Sequence, residues 1–272
     1  MATSPVNDGC DINNIRQMYG KDHSTVTQLF PEEDQGCINF GYWPGKENMP
    51  AHSISKPERT QSQHDLYNQL FKDAGITSSD RVLEVGCGRG HGVAWGSEKA
   101  ARYEGIDLLD KQVEKAQTSY PTLKDRFSVQ SADNIQFANG TFDKVVSLEA
   151  AQHFPDFRAF ANQASRVLKS DGTLTVCTFF YKGAEGERVC KSEMPTNELA
   201  LDHTIQLDQA KEDLESAGLR VETVRSIGAH TFHGFCTWAK QVRVTTPHTL
   251  KWVTMFDQGA MDYCTIVARK SA

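Results

Sequence analysis

The chain has 272 residues, 39% of them hydrophobic, and a formal net charge of −6. That length suits one α/β domain with attachments, or two small domains. No run of eighteen apolar residues and no basic block occurs, so a membrane-spanning helix is excluded and nucleic acid is disfavoured as a partner. The N-terminal stretch MATSPVNDGCDINN lacks the basic and apolar parts of a signal peptide, so a cytoplasmic address is expected. The seven cysteines are scattered without a C-x-x-C pair, which suggests neither a disulfide framework nor a zinc site, and no metal is expected.

Residues 1–56 mix Asn, Asp, Gly and Pro with Tyr19, Phe30, Phe40, Tyr42 and Trp43 and show little periodicity. They are predicted to form an N-terminal cap and lid, a short helix followed by irregular chain. The main domain, 57–272, opens near Pro57, where Leu66, Tyr67, Leu70 and Phe71 share one helical stripe that Gly75 closes. A strand at Arg81–Val85 leads into the glycines, then a helix to about Ala101. "RYEGIDL" is a second strand, and Asp110 is predicted to cap the helix "KQVEKAQTSY". "RFSVQSAD" and "FDKVVSLEAA" are the third and fourth strands. A helix follows from Pro155 to the turn Asp171-Gly172, and "TLTVCTFF" is the fifth strand.

After that the pattern loosens until a helix near Leu207–Ala217. "GLRVETVRSI" and "DYCTIVARK" read as strands, with helical "HTFHGFCTWAK" and "TLKWVTMF" between them. Alternating strands and helices mean βαβ units. The expected fold is α/β: a Rossmann-like, mostly parallel seven-stranded sheet with helices on both faces, plus a helical N-terminal cap and an inserted lid.

The stretch "RVLEVGCGRGHGV" carries glycines at 86, 88, 90 and 92 directly after the first strand, where an open α/β sheet binds its ligand. A dinucleotide fingerprint counted from Gly86 needs a third glycine where His91 stands, and no Gly-Lys-Ser/Thr phosphate loop occurs. "VLEVGCGRG" resembles motif I of the class I S-adenosylmethionine-dependent methyltransferases. "YEGIDLLDKQVEKAQ", "SVQSADNIQFANGTFDKVVSLEAAQHFPD" and "FANQASRVLKSDGTLTV" are similar to the later motifs, in order, over about Pro57 to Phe180.

The resemblance implies S-adenosylmethionine as cofactor. It gives Asp107 both ribose hydroxyls, Leu108 the adenine face with Gln112 beside it, and Asp133 with the Asn134 and Ile135 backbone the adenine amino edge. Gly86, Cys87, Gly88 and Gly90 would let the chain pass close to the methionine part. Glu84 would accept backbone N–H groups, or the cofactor's amino group through water. Leu148 and Glu149 would lie near the sulfonium, and Gln63 matches a cofactor-contacting Gln of lipid-modifying members. Structural readings stay open for several of these, Asp107 as a helix cap and Glu84 as a mere backbone acceptor among them.

For the chemistry, His153 in "EAAQHFPD" is the candidate base, with Glu149 as its competitor; His64, His230 and His233 are outside candidates. No Asn-Pro-Pro-Tyr-type sequence follows the fourth strand, which turns the reading away from nucleic-acid bases. Tyr19, Tyr42, Trp43, Phe179, Tyr181, Phe232 and Trp238 are expected to build an acceptor pocket, with insertions at about 181–204 and 229–258; each ring may alternatively be core. The lid stretch "INFGYWPG" is similar to that of small-molecule, sterol and natural-product methyltransferases. A small, largely apolar acceptor follows (lipid, quinone, terpenoid or other natural product), methylated at O, C or N. A nicotinamide-dependent oxidoreductase and a cofactor-binding, non-catalytic member stay as alternatives. A homo-oligomer, with the N-terminal segment swapped between chains, is left open.

Overall fold

The structure is a computed structural model that describes residues 15, 37–45, 54–194, 202–242 and 251–271. Its first long helix, α1 (Lys56–Ala74), starts at a capping box. Ser55 accepts the Glu58 N–H while the Glu58 carboxylate accepts the Ser55 N–H. The helix stops at Gly75, in the left-handed region at φ 60°, as the sequence predicts. Leu66, Leu70 and Phe71 form its buried face.

Seven strands follow: β1 (Arg81–Val85), β2 (Arg102–Asp107), β3 (Phe127–Val129), β4 (Phe142–Leu148), β5 (Leu168–Tyr181), β6 (Leu219–Ser226) and β7 (Met261–Lys270). They make one sheet in the order β3-β2-β1-β4-β5-β7-β6. The first five are parallel, and β7 runs antiparallel between β5 and β6. Between β1 and β4 the winding direction reverses, which opens a crevice at the carboxyl ends of those strands.

Helices cover both faces, as expected. α1, α2 (His91–Gly96) and α3 (Asp110–Ser119) pack on one face with α5 (Gly183–Glu193), α7 (Gly228–Gln241) and α8 (Lys251–Asp257). α4 (Phe157–Val167) and α6 (Leu207–Ser216) pack on the other. No helix among the described residues is long and apolar enough to cross a membrane.

Three local expectations are corrected. α2 ends at Gly96 and not near Ala101; beyond it the chain goes on as a turn, in which the Lys99 and Ala100 N–H groups share the Gly96 carbonyl. Asp110 does not cap α3 but opens it; the Leu109 N–H is taken by Asp107 instead. α5 carries too little apolar face to be read from pattern, since only Gly186 and Cys190 of its residues are buried. It is held by close approach: a Cβ on Gly186 would lie 2.2 Å from the Ala260 carbonyl oxygen.

Phe160 on α4 is fully buried and meets the edges of Phe154 and Phe157, with ring centroids 4.8 and 5.8 Å away. Phe160→Ala is expected to cost about 3–5 kcal/mol. Urea unfolding should show that loss as a lower midpoint at unchanged slope.

Candidate functional site

A cavity of about 950 Å³, counted with its open mouth, occupies the crevice where the sheet reverses. Four strand ends line it in turn: Gly86–Arg89 after β1, Asp107–Leu109 after β2, Gln130–Ala132 after β3, and Leu148–Ala150 after β4. Gln112, His91, His153, Phe154 and Pro155 close one side; Tyr67, Cys37, Ile38 and Ile15 close another. The turns after β1 and β4 touch: Gly86 sits at φ 82°, and a Cβ there would fall 2.2 Å from that of Ala150. Glycine is required at this point.

Asp107, at the end of β2, is anchored at both oxygens. Oδ2 accepts the Gly88 N–H and Oδ1 the Leu109 N–H, each at 2.9 Å. Burial pushes its pKa up, and these N–H donors oppose the shift. A carboxylate oxygen has a second lone pair, so a fixed pair of oxygens at a cavity rim suits a vicinal diol. One helical turn on, Gln112 is buried and its Oε1 has no partner among the described residues. An orphaned acceptor beside a cavity calls for a donor from a ligand. The residues therefore fit the adenosyl cofactor that the sequence implies.

Not every expected residue reaches the cavity. Glu84 is fully buried beneath the glycine turn; its Oε1 accepts the Tyr67 hydroxyl at 2.9 Å and its Oε2 has no partner among the described residues. Burial pushes its pKa up to about 8. Gly90 backs onto Ala116 and Phe127, each 2.8 Å from where a Cβ would stand, so it serves packing. Asp133 and Asn134 are exposed, and Ile135 belongs to the core of the opposite face. The chain turns back there, with the Asn134 N–H on the Ser131 carbonyl, so Gln130, Ser131 and Ala132 meet the cavity in their place.

The strap 37–43, part of the expected cap and lid, is tied down from α1. Gln63 donates to the Cys37 carbonyl and so holds the strap, away from the cavity lining. Arg59, buried on α1, donates to the Asn39 and Phe40 carbonyls. Its pKa is lowered to about 10 by burial, against the pull of Glu149. Glu149 follows β4 in the left-handed region, φ 46°, which costs a non-glycine residue about 1–3 kcal/mol. Its Oε1 accepts both the Phe40 N–H and the Tyr263 hydroxyl, each at 2.8 Å. Burial pushes its pKa up to about 7.

The expected acceptor rings are corrected to core. Phe40 stacks on Phe235 at 4.0 Å and 4°, with Phe179 and Phe232 each 6.2 Å away. Trp43 packs against Gly234, and beside Trp238 and Ile54. Tyr181 is buried, and Tyr42 lies edge-on to His230; of the expected rings, the six among the described residues (Tyr42, Trp43, Phe179, Tyr181, Phe232 and Trp238) do not line the cavity. Rings in an irregular segment are drawn to one another once the strap is tied down. Tyr19 lies outside the described residues.

His153 lines the cavity as expected. Its Nδ1 is 3.2 Å from Asp202 Oδ1, and the Gln152 amide nitrogen is 3.3 Å from its Nε2. The Thr178 hydroxyl donates to Gln152 Oε1, and Gln152 Nε2 donates to the Glu149 carbonyl, which orients that amide. The network therefore places the proton on Nδ1, facing Asp202, and leaves Nε2 as the acceptor. Asp202 sits in a stretch without periodicity, and nothing in the sequence singles it out. His64 packs on Trp95 and His233 stands 3.2 Å from Asp257; neither lines the cavity.

A family described as a methyltransferase domain matches residues 83–176. Erythromycin 3''-O-methyltransferase of Saccharopolyspora erythraea is 32% identical over 167 residues, 59% of this chain and 49% of that protein. The chain thus spans about half the length of that relative. 27-O-demethylrifamycin SV methyltransferase of Amycolatopsis mediterranei is 27% identical over 228 residues, 80% of this chain and 78% of that protein. Among solved structures, geranyl diphosphate C-methyltransferase from Streptomyces coelicolor A3(2) superposes with a TM-score of 0.78 at 15% identity, covering 99% of this chain and all of that one. The [4+2]-cyclase SpnF gives 0.72 at 20% identity, covering 100% and 98%. These two likenesses show the fold.

Glu84 also makes stability depend on pH. Its folded pKa, about 8, lies above the ordinary 4.5, so the folded state binds the extra proton between those values. Stability is then greatest below that window and falls as pH rises through it. Glu149 adds the same sign up to about 7. Thermal midpoints should drop between about pH 4.5 and 8, and Glu84→Gln should flatten the drop. An unchanged slope in the variant would remove Glu84 from the account.

Proposed function

We propose that this chain, a member of the class I S-adenosylmethionine-dependent methyltransferases, transfers the cofactor's methyl group to a hydroxyl of a small, largely apolar metabolite. One observation carries the reading: a single cavity is lined by Asp107, Gln112 and His153, and His153 stands 3.2 Å from Asp202.

When bound, S-adenosylmethionine supplies a methyl on a positively charged sulfur, open to in-line displacement with a neutral thioether leaving. Asp107 would take the ribose hydroxyls, and Gln112 Oε1 a cofactor donor. The glycine turn admits the backbone close to the ligand. His153 would accept the hydroxyl proton at Nε2 as the new bond forms, while Asp202 stabilises the imidazolium through Nδ1. The 3.3 Å contact from Gln152 is long, so an acceptor hydroxyl can displace it.

The acceptor class rests on the walls and on the relatives. Ile15, Ile38, Leu148, Phe154 and Pro155 supply the apolar part of the cavity lining. Similar proteins act, by name, on erythromycin, demethylrifamycin, a fatty acid and a sterol. Methylation at oxygen is favoured over carbon or nitrogen because a carboxylate-oriented imidazole matches the need of a hydroxyl nucleophile.

Calorimetry with S-adenosylhomocysteine should give one site per chain, weakened more than about tenfold in Asp107→Ala. Incubating a cell extract with deuteromethyl-labelled cofactor and reading label by mass spectrometry identifies the acceptor. On that acceptor, His153→Ala should lower kcat by roughly 10²–10⁴. Asp202→Asn should slow turnover, because the imidazolium that forms at His153 loses its partner. Full activity in His153→Ala would overturn the base assignment.

A further inference from the structure

The sheet face that carries α1 is left open at its other end, where the strands begin. A polar cleft lies there, bounded by the last turn of α1 and by β4, β5, β7 and β6. Four cations line it, Lys72, Lys144, Arg225 and Arg269, against two carboxylates, Asp73 and Glu222. In a chain whose net charge is −6, this is a local reversal of sign.

The two arginines are already engaged. Arg225 pairs with Asp73, and Arg269 grips both oxygens of Glu222 and donates to the Asp171 carbonyl. Lys72 sits in the last turn of α1, where it offsets the partial negative charge of the helix end. Lys144 has no such explanation. Its chain neighbour Asp143 engages Lys169 with both oxygens, one of which also takes the Arg81 N–H. Lys144 itself stands in no ion pair among the described residues.

Beside it, the register pairs Lys144 with Thr173 and Thr173 with Arg269. The three therefore stand in one row across adjacent strands, about 5 Å apart from one to the next. Thr173 is 2% exposed, lines the cleft, and its Oγ1 has no hydrogen-bond partner among the described residues. A buried hydroxyl without a partner next to an unpaired ammonium, in an open cleft, is the donor set of an oxyanion site.

We propose that this cleft binds one phosphate group, with the Lys144 ammonium and the Thr173 hydroxyl as its direct donors and Lys72 as a flanking charge. The site is separate from the cofactor cavity. Lys144 stands near the start of β4 and Leu148 at its end, about 13 Å apart at strand rise. Ligand class follows from the donors: a compact, multiply charged oxyanion satisfies an ammonium and a hydroxyl together, whereas chloride leaves the hydroxyl's geometry unused. A free phosphate ion and a phosphate carried by a metabolite present the same oxygens.

Titration of the full chain with inorganic phosphate, at ionic strength held constant with chloride, tests the site by amide NMR and calorimetry. Saturable shifts should appear at Thr173, Lys144 and Arg269. Lys144→Gln should weaken binding roughly tenfold, and Thr173→Val severalfold, as loss of one charge-assisted hydrogen bond each implies. Glycerol phosphate in a parallel titration distinguishes the sources: tighter binding than inorganic phosphate marks a carried group, and weaker binding a free ion. Shifts confined to Gly86–Arg89, or an isotherm unchanged in Lys144→Gln, would overturn the proposal.

Discussion

The organisation of the site depends on one carboxylate held in an awkward place. Glu149 leaves β4 with a backbone that glycine would adopt more cheaply, and one oxygen takes donors from two distant parts of the chain. The Phe40 N–H arrives from the strap and the Tyr263 hydroxyl from β7, the antiparallel strand that the parallel core does not need. Neither partner is local, so the strained turn persists only because the surrounding fold determines it. Through this contact the end of β4, the strap and the far half of the sheet become one unit. Cys37 and Ile38 then stand as fixed cavity wall.

That linkage separates two residues that composition alone makes rivals. Glu149 and His153 lie four positions apart, both line the cavity, and both are plausible proton acceptors by type. Their partners differ. The carboxylate faces two donors and the buried Arg59 guanidinium behind the strap, an arrangement that positions chain. The imidazole faces Asp202 at Nδ1, an arrangement that favours taking up a proton at Nε2. Even the amide between them serves both, since Gln152 bonds the Glu149 carbonyl and approaches His153.

What the sequence made legible follows from how local each cause was. The helix stripe of Leu66, Leu70 and Phe71, the strand at Arg81–Val85 and the Asp107 carboxylate at a strand end are written in neighbouring residues, and they stand where periodicity puts them. The register after β3 was not local in this sense. Asp133 has the expected chemistry, but the turn made by Ser131 and Asn134 carries it outward, and turn geometry outweighs side-chain type. The aromatic residues were read as pocket because aromatic chemistry fits an apolar acceptor. It fits a core equally well, and only the tie of Arg59 and Gln63 to the strap decides between them. Asp202 was invisible because its meaning is its distance to His153, and a contact between residues 49 positions apart leaves no pattern.

Fold likeness alone leaves the chemistry open, since a [4+2]-cyclase and a C-methyltransferase share this architecture. What distinguishes one use from another is sought in the side chains at the strand ends, where an open α/β sheet binds its ligand. In this chain the carboxyl ends hold a paired-oxygen rim at Asp107, an orphaned acceptor at Gln112 and an oriented imidazole, all within one cavity. A cyclisation asks a protein to fold a substrate and asks little of a carboxylate-supported base. Proton removal from a hydroxyl asks for that base and for a fixed donor of the incoming group. The proposed reaction makes the second demand, and under that proposal the Asp202 carboxylate, 3.2 Å from His153 Nδ1, sets the imidazole's tautomer and orientation and gives the proton's charge a place.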